Sequence, residues 1–225
     1  MASFETHLVF TTVVTGVVTI PLLSSGMVGS VEGITLLFFG VIGGMLPDVD
    51  SDHSIPIQIT YKVISLILPL ILIFNFANEL PLLQILFAWI ISTIVFYIIF
   101  TYVFLPLTVH RGVFHTIAMG IVSGELTSLF IIHVLGTADK IALLSGIYVA
   151  FGFLLHLLLD EIYSVNLLGV SLKRSFGSAF KIYDSGNITG SIIINLMAVA
   201  LFFTLPNMMG TFKDLLALLQ NVQIY

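Results

Sequence analysis

Long apolar runs leave this chain little choice of fold. Stretches near residues 6–23, 31–46, 61–78, 82–105, 115–135, 141–163 and 188–206 make about seven segments approaching the roughly 20 mostly apolar residues that a helix needs to cross a bilayer. Turn-forming residues separate them. Ser24-Ser25-Gly26 and Gly136-Thr137-Ala138-Asp139 are breaks, and Pro81 suits the first turn of the helix after Asn78-Glu79-Leu80. Charged side chains make up 8% of the sequence, against about one-quarter in soluble domains. No polar stretch is long enough to build a separate soluble domain. The expected fold is therefore all-α: one polytopic transmembrane bundle over residues 1–225, of about seven membrane segments. A short amphipathic helix should follow at 211–222, where Leu215, Leu216, Leu218 and Leu219 stand among polar residues. The N-terminal stretch lacks a basic leader and a cleavage signal, so the first run is expected to belong to the mature chain.

Threading these segments gives an orientation. Lys62, Arg111, Lys173, Arg174 and Lys181 fall on the N-terminal side, and Lys140 and Lys213 on the other. Basic loops stay cytoplasmic, so the N-terminus is expected in the cytoplasm. The same threading places His7, Asp48, Asp50, His110, His115, His156 and Asp160 near that one side. Ionisable groups are costly in a bilayer and mark function by default. Their gathering at one face is the main argument for a single site.

The chemistry of that site follows from residue types and spacing. The chain has no cysteine, so any metal must be held by imidazole and carboxylate. His156 and Asp160 are one helical turn apart with leucines between them, so they share a face and can bind one divalent ion. The plain alternative is a hydrogen-bonded pair that joins two helices. Asp48, Asp50 and Asp52 alternate after a helix end at Pro47. Extended backbone would put Asp48 and Asp50 on one side, where a cation relieves their repulsion; a solvated acidic turn is the alternative. His53 is expected to be a bystander. His110 and His115 are five apart and converge if Gly112 bends the chain and His115 enters the first helical turn. Thr116 is then a helix cap. Arg111 suits a phosphate or carboxylate, or serves as a plain cytoplasmic anchor. His7 opens the first segment. The donors outnumber the four that one tetrahedral zinc needs, so one or two ions are expected. Zinc suits best, with manganese and iron also compatible. Lys173, Arg174 and Lys181 lie in a basic loop, 172–181, that can meet an anionic head group or merely anchor the cytoplasmic face. Glu161 follows Asp160 and is a candidate general base, or an interfacial charge. Glu125 lies mid-segment, roughly 15 Å along the helix from His115, too far for direct ligation.

Taken in order, Thr6-His7-Leu8, Leu46-Pro47-Asp48-Val49-Asp50 with Ser54, His110-Arg111-Gly112 through His115-Thr116, and Gly152-Phe153-Leu154-Leu155-His156 through Asp160 resemble the YdjM-type family of bacterial inner-membrane proteins, described as membrane-bound metal-dependent hydrolases. The resemblance spans residues 6 to 160. It implies that His7, Asp48, Asp50, His110, His115, His156 and Asp160 are metal-site positions, in a prokaryotic cytoplasmic membrane. Two positions depart from the family pattern: Ser51 stands where many members have histidine, and Glu161-Ile-Tyr-Ser where many have Thr-Pro-x-Gly. A fainter likeness to the zinc phospholipase C and P1 nuclease group implies phosphoester hydrolysis. The resulting expectation is a metal-dependent hydrolase acting on a phospholipid-like phosphoester at the cytoplasmic interface, with membrane lipids and not nucleic acid as partners. A divalent-metal transporter or sensor, and a non-catalytic membrane scaffold, are the alternatives.

Overall fold

The computed structural model describes residues 3–50, 55–74, 79–99, 101–102, 112–166, 171–172, 180–206 and 208–221. These residues form eight α-helices: α1 (Phe4–Ser24), α2 (Ser30–Met45), α3 (Ile55–Phe74), α4 (Leu82–Ile99), α5 (Ile117–His133), α6 (Asp139–Ser164), α7 (Ile188–Phe202) and α8 (Met208–Asn221). A 3-10 turn, Leu46–Asp50, follows α2. The all-α expectation holds apart from a two-residue antiparallel ladder in which Val165 pairs with Leu172 and Asn166 with Ser171.

The helix ends follow from local chemistry. Ser3 caps α1 by accepting from the Thr6 amide at 3.2 Å. The Glu32 carboxylate accepts from the Gly29 amide at 2.7 Å ahead of α2, Thr116 caps α5 and Asn187 caps α7. Gly26 and Gly136 take positive φ at the turns after α1 and α5, the conformation that costs glycine least.

Four helical segments are long and apolar enough to cross a membrane: Phe4–Ser24, Ser30–Asp48, Leu82–Ile99 and Asp139–Ser164. The remaining three expected spans correspond to shorter apolar helical stretches, Ser65–Phe74, Ile117–His133 and Ile188–Phe202. Ile117–His133 is two residues shorter than the expected run at each end, and Ile188–Phe202 starts where expected but ends four residues early. The amphipathic C-terminal helix forms as α8.

The chain divides into two compact units, residues 1–47 with 111–225, and residues 48–110. The second is a hairpin of α3 and α4, in which the Trp89 indole N–H donates to the Leu66 carbonyl at 3.1 Å. In the first, α6 is the central helix and packs on α1, α2, α5 and α8. An apolar cluster of Leu22, Val28, Leu36, Leu144 and Tyr148 closes the end away from His156, with Met27, Ile141 and Leu215 against it. Lys140 belongs to that end, its ammonium donating to the Met27 carbonyl at 3.1 Å.

On α1 polarity runs inside out. The buried face of α1 is His7, Thr11, Thr15, Thr19 and Leu22, while Val9, Val13, Val17 and Ile20 are exposed. Lipid solvates the valines, so helix association depends on close packing and internal hydrogen bonds. Thr15 and Thr19 donate to the carbonyls of Thr11 and Thr15 at 2.6 and 2.7 Å, and Thr19 meets the Tyr148 hydroxyl at 3.0 Å. The tightest approach is α2 on α6. A Cβ on Gly152 would lie 1.9 Å from the Gly40 carbonyl oxygen, and one on Gly43 2.1 Å from the Val149 carbonyl oxygen. These two helices touch backbone to backbone, which only glycine permits.

Gly152→Val should therefore force α2 and α6 apart, costing about 3 kcal/mol or more. Gly16→Ala, whose Cβ would meet Leu37 at 3.9 Å, should leave stability near wild type. Thermal unfolding in detergent distinguishes the two; equal midpoints would contradict the packing described here.

Candidate metal centre

The close approach of α2 and α6 sets up the site. His156 lies one turn beyond Gly152 on α6, and its Nδ1 is 2.7 Å from the Gly44 carbonyl oxygen. A carbonyl only accepts, so Nδ1 carries the proton. The lone pair of neutral His156 is then on Nε2, the nitrogen 4.0 Å from Asp160 Oδ2.

Two further imidazoles converge there. His7, in the first turn of α1, places Nε2 3.3 Å from Asp160 Oδ1, and its ring stacks on His156 with centroids 3.7 Å apart. His115 places Nε2 3.9 Å from Asp160 Oδ2, and its ring meets His156 edge-on at 5.7 Å. A short turn delivers His115: its amide donates to the Gly112 carbonyl at 3.1 Å, and the Thr116 hydroxyl donates to the Val113 carbonyl at 2.8 Å. His115 stands just before the Thr116 cap and not in the first helical turn, because Thr116 itself takes the capping position. His7, His115, His156 and Asp160 are each at most 1% exposed.

The donor set fits a divalent cation. One ligand atom from each of His7, His156 and Asp160 lies within 4.8 Å of the others. Ligands about 2.1 Å from a tetrahedral ion stand roughly 3.4 Å apart, close to the 3.3 Å between His7 and Asp160. That distance is long for a charge-assisted hydrogen bond. Of the two His7 nitrogens, Nε2 faces Asp160 and Nδ1 is buried without a hydrogen-bond partner, which is costly for a polar atom inside a protein.

The other expected residues distribute as follows. Asp48 and Asp50 sit in the 3-10 turn Leu46–Asp50, in the unit of residues 48–110; the Asp50 side chain, His53, His110, Arg111, Lys173 and Arg174 lie outside the described residues. Glu161 is partly buried beside Asp160 in the chain, and its carbonyl accepts from the Ser164 hydroxyl at 2.6 Å. Lys181 is tied to the site by its backbone, since its carbonyl accepts from the Ile117 amide at 2.9 Å, two residues from His115. Its ammonium donates to Asp184 Oδ1 at 2.9 Å, and this bond holds the Asp184 carboxyl below its usual range. Glu125 is buried at mid-helix with Oε2 lacking a hydrogen-bond partner.

Sequence reasoning passed over two contributors. The Gly44 carbonyl is a backbone group, and its cue is the helix-ending Gly-Met-Leu-Pro run. Thr11, Thr15 and Thr19 continue the His7 face at four-residue spacing, a pattern visible in the sequence.

The description that matches the chain is the YdjM inner membrane protein family, over residues 1–219. No curated protein and no solved structure gives a significant match. With nearly the whole length covered, the chain belongs to the YdjM inner membrane protein family.

Proposed function

We propose that this protein is a metal-dependent hydrolase that cleaves a phosphoester, phospholipid-like in character, at the cytoplasmic face of the membrane. The observation that carries the proposal is the convergence of three buried imidazoles on the buried Asp160 carboxylate. His7, His115, His156 and Asp160 would hold one divalent ion, zinc by preference. Asp48, Asp50 and His110 are the candidates for holding a second. When bound, such an ion supplies a hydroxide near neutral pH and polarises a phosphoryl oxygen.

The chain's own residues do the rest. The Gly44 carbonyl orients His156, and Asp160 balances part of the cation's charge. Glu161, the next carboxylate in the chain, takes the proton from the attacking water. Arg111, Lys173 and Arg174 offset the phosphate charge and select an anionic substrate, whereas the Lys181 ammonium is engaged by Asp184. Attack forms a new P–O bond to the water oxygen and breaks the P–O bond to the leaving alcohol, which departs with the proton that Glu161 took up.

Transport is the weaker reading. Beyond His7, the inner face of α1 is filled by Thr11 and Thr15 packed directly on Gly44 and Gly40, and the Thr15 hydroxyl is already committed to a backbone carbonyl. That packing supports a closed helix contact more than a hydrated ion path.

Protein purified in detergent, stripped with chelator and reloaded with zinc or manganese should release a phosphorylated or dephosphorylated product from phospholipid micelles only in the loaded form. His115→Gln should lower turnover by more than the roughly 10–100-fold typical of losing an outer partner of a metal ligand. Full metal loading with no phosphoester turnover would remove the substrate assignment and leave the metal site standing.

The orientation is tested separately. The chain contains no cysteine, so Ser3→Cys and Lys213→Cys each introduce a unique thiol. An impermeant maleimide added to intact cells, with periplasmic access, should label position 213 and not position 3. The reverse pattern would invert the assignment.

A further inference from the structure

We infer that Pro47 is a positioning residue for His156: by withholding an N–H, it leaves the Gly44 carbonyl to the imidazole and so fixes which ring nitrogen faces the site. The use made of that nitrogen rests on the metal-centre reading above; the geometry does not.

Helix α2 ends at Met45 and passes into the 3-10 turn Leu46–Asp50. The last carbonyls of a helix lack their usual donors. Leu46 turns back to satisfy two of them, its amide donating to the Gly43 and Ile42 carbonyls. The next amide in line belongs to residue 47. Continued as an α-helix, it would bond Gly43; tightened to 3-10 geometry, it would bond Gly44. Proline has no N–H, so residue 47 gives neither bond, and in the 3-10 geometry of Leu46–Asp50 the next amide, that of Asp48, bonds three residues back, to Met45. The Gly44 carbonyl accepts from His156 Nδ1 at 2.7 Å.

Neighbouring packing holds that peptide in place. Thr11 of α1 covers one side of Gly44, since a Cβ there would come within 2.5 Å of the threonine side chain. Gly152 of α6 covers another, its own Cβ position being 2.8 Å from the Gly44 nitrogen. His156 is one turn beyond Gly152, so the contact that brings α6 to α2 also brings the imidazole to the carbonyl. The bond commits Nδ1 as donor and turns Nε2 toward Asp160, alongside His7 and His115. Orienting bonds of this kind set the tautomer of a ligating histidine.

The test uses full-length protein labelled with 15N at histidine, first metal-free at a pH where imidazoles are neutral, then titrated with zinc. Wild type should show His156 as the Nδ1–H tautomer, assigned by loss of its signals in His156→Gln. Pro47→Ala restores an amide able to compete for Gly44. It should populate the Nε2–H tautomer of His156 and weaken zinc binding by roughly 10–100-fold, while Leu46→Ala should change neither. An Nε2–H tautomer in metal-free wild type would overturn the inference, whatever the fate of the variants. So would a Pro47→Ala protein with wild-type spectrum and affinity. If the tautomers behave as expected but wild type binds no zinc, the positioning by Pro47 stands and the metal-centre reading falls.

Discussion

The backbone contact between α2 and α6 is the constraint on which the larger unit depends. Gly40, Gly43 and Gly44 on one helix meet Val149 and Gly152 on the other with no room for a side chain. In a bilayer, apolar side chains gain nothing by leaving lipid for a neighbouring helix. The helices must instead be held by close approach and by polar groups with nowhere else to go. That contact puts the Gly44 carbonyl within reach of His156, and Thr11 seats α1 against the same glycine. His7, one turn before Thr11, is thereby stacked on His156. A few missing Cβ atoms thus fix the register of three helices and the rings they carry.

The resulting cluster is deeply buried. Three imidazoles and a carboxylate are essentially inaccessible, gathered around the C-terminal part of α6. Polar groups in such a place are costly unless matched to one another or to a ligand. The His156 ring is matched at one nitrogen by a carbonyl, and the His7 ring faces Asp160 with one nitrogen while the other has no hydrogen bond. One ligand atom from each of His7, His156 and Asp160 lies within 4.8 Å of the others, a group that could hold a metal ion.

Much of this was legible in the sequence because apolar length and turn chemistry are local. The ends of α1, α2 and α6 fall within two residues of the apolar runs, and the turns at Gly26 and Gly136 appear where glycine was read as a break. The four-residue spacing of His156 and Asp160 was sufficient to place both side chains at one site. The count of spans was less legible. Hydropathy does not record that Ile117–His133 and Ile188–Phe202 end before the apolar run does. Backbone roles were invisible for a deeper reason. The Gly44 carbonyl has no side-chain signature, and its importance emerges only when a second helix arrives from 112 residues away. Lys181 looked like a free cation in a basic loop, yet Asp184 three residues on engages its ammonium.

X-ray absorption at the zinc edge of purified, zinc-loaded wild-type protein tests the central claim most directly. The account predicts a first shell of nitrogen and oxygen near 2.0–2.1 Å, with the outer scattering of several imidazoles. That imidazole signal should diminish in His7→Ala and in His115→Ala. A shell of oxygen alone, or imidazole scattering unchanged in both variants, would contradict it.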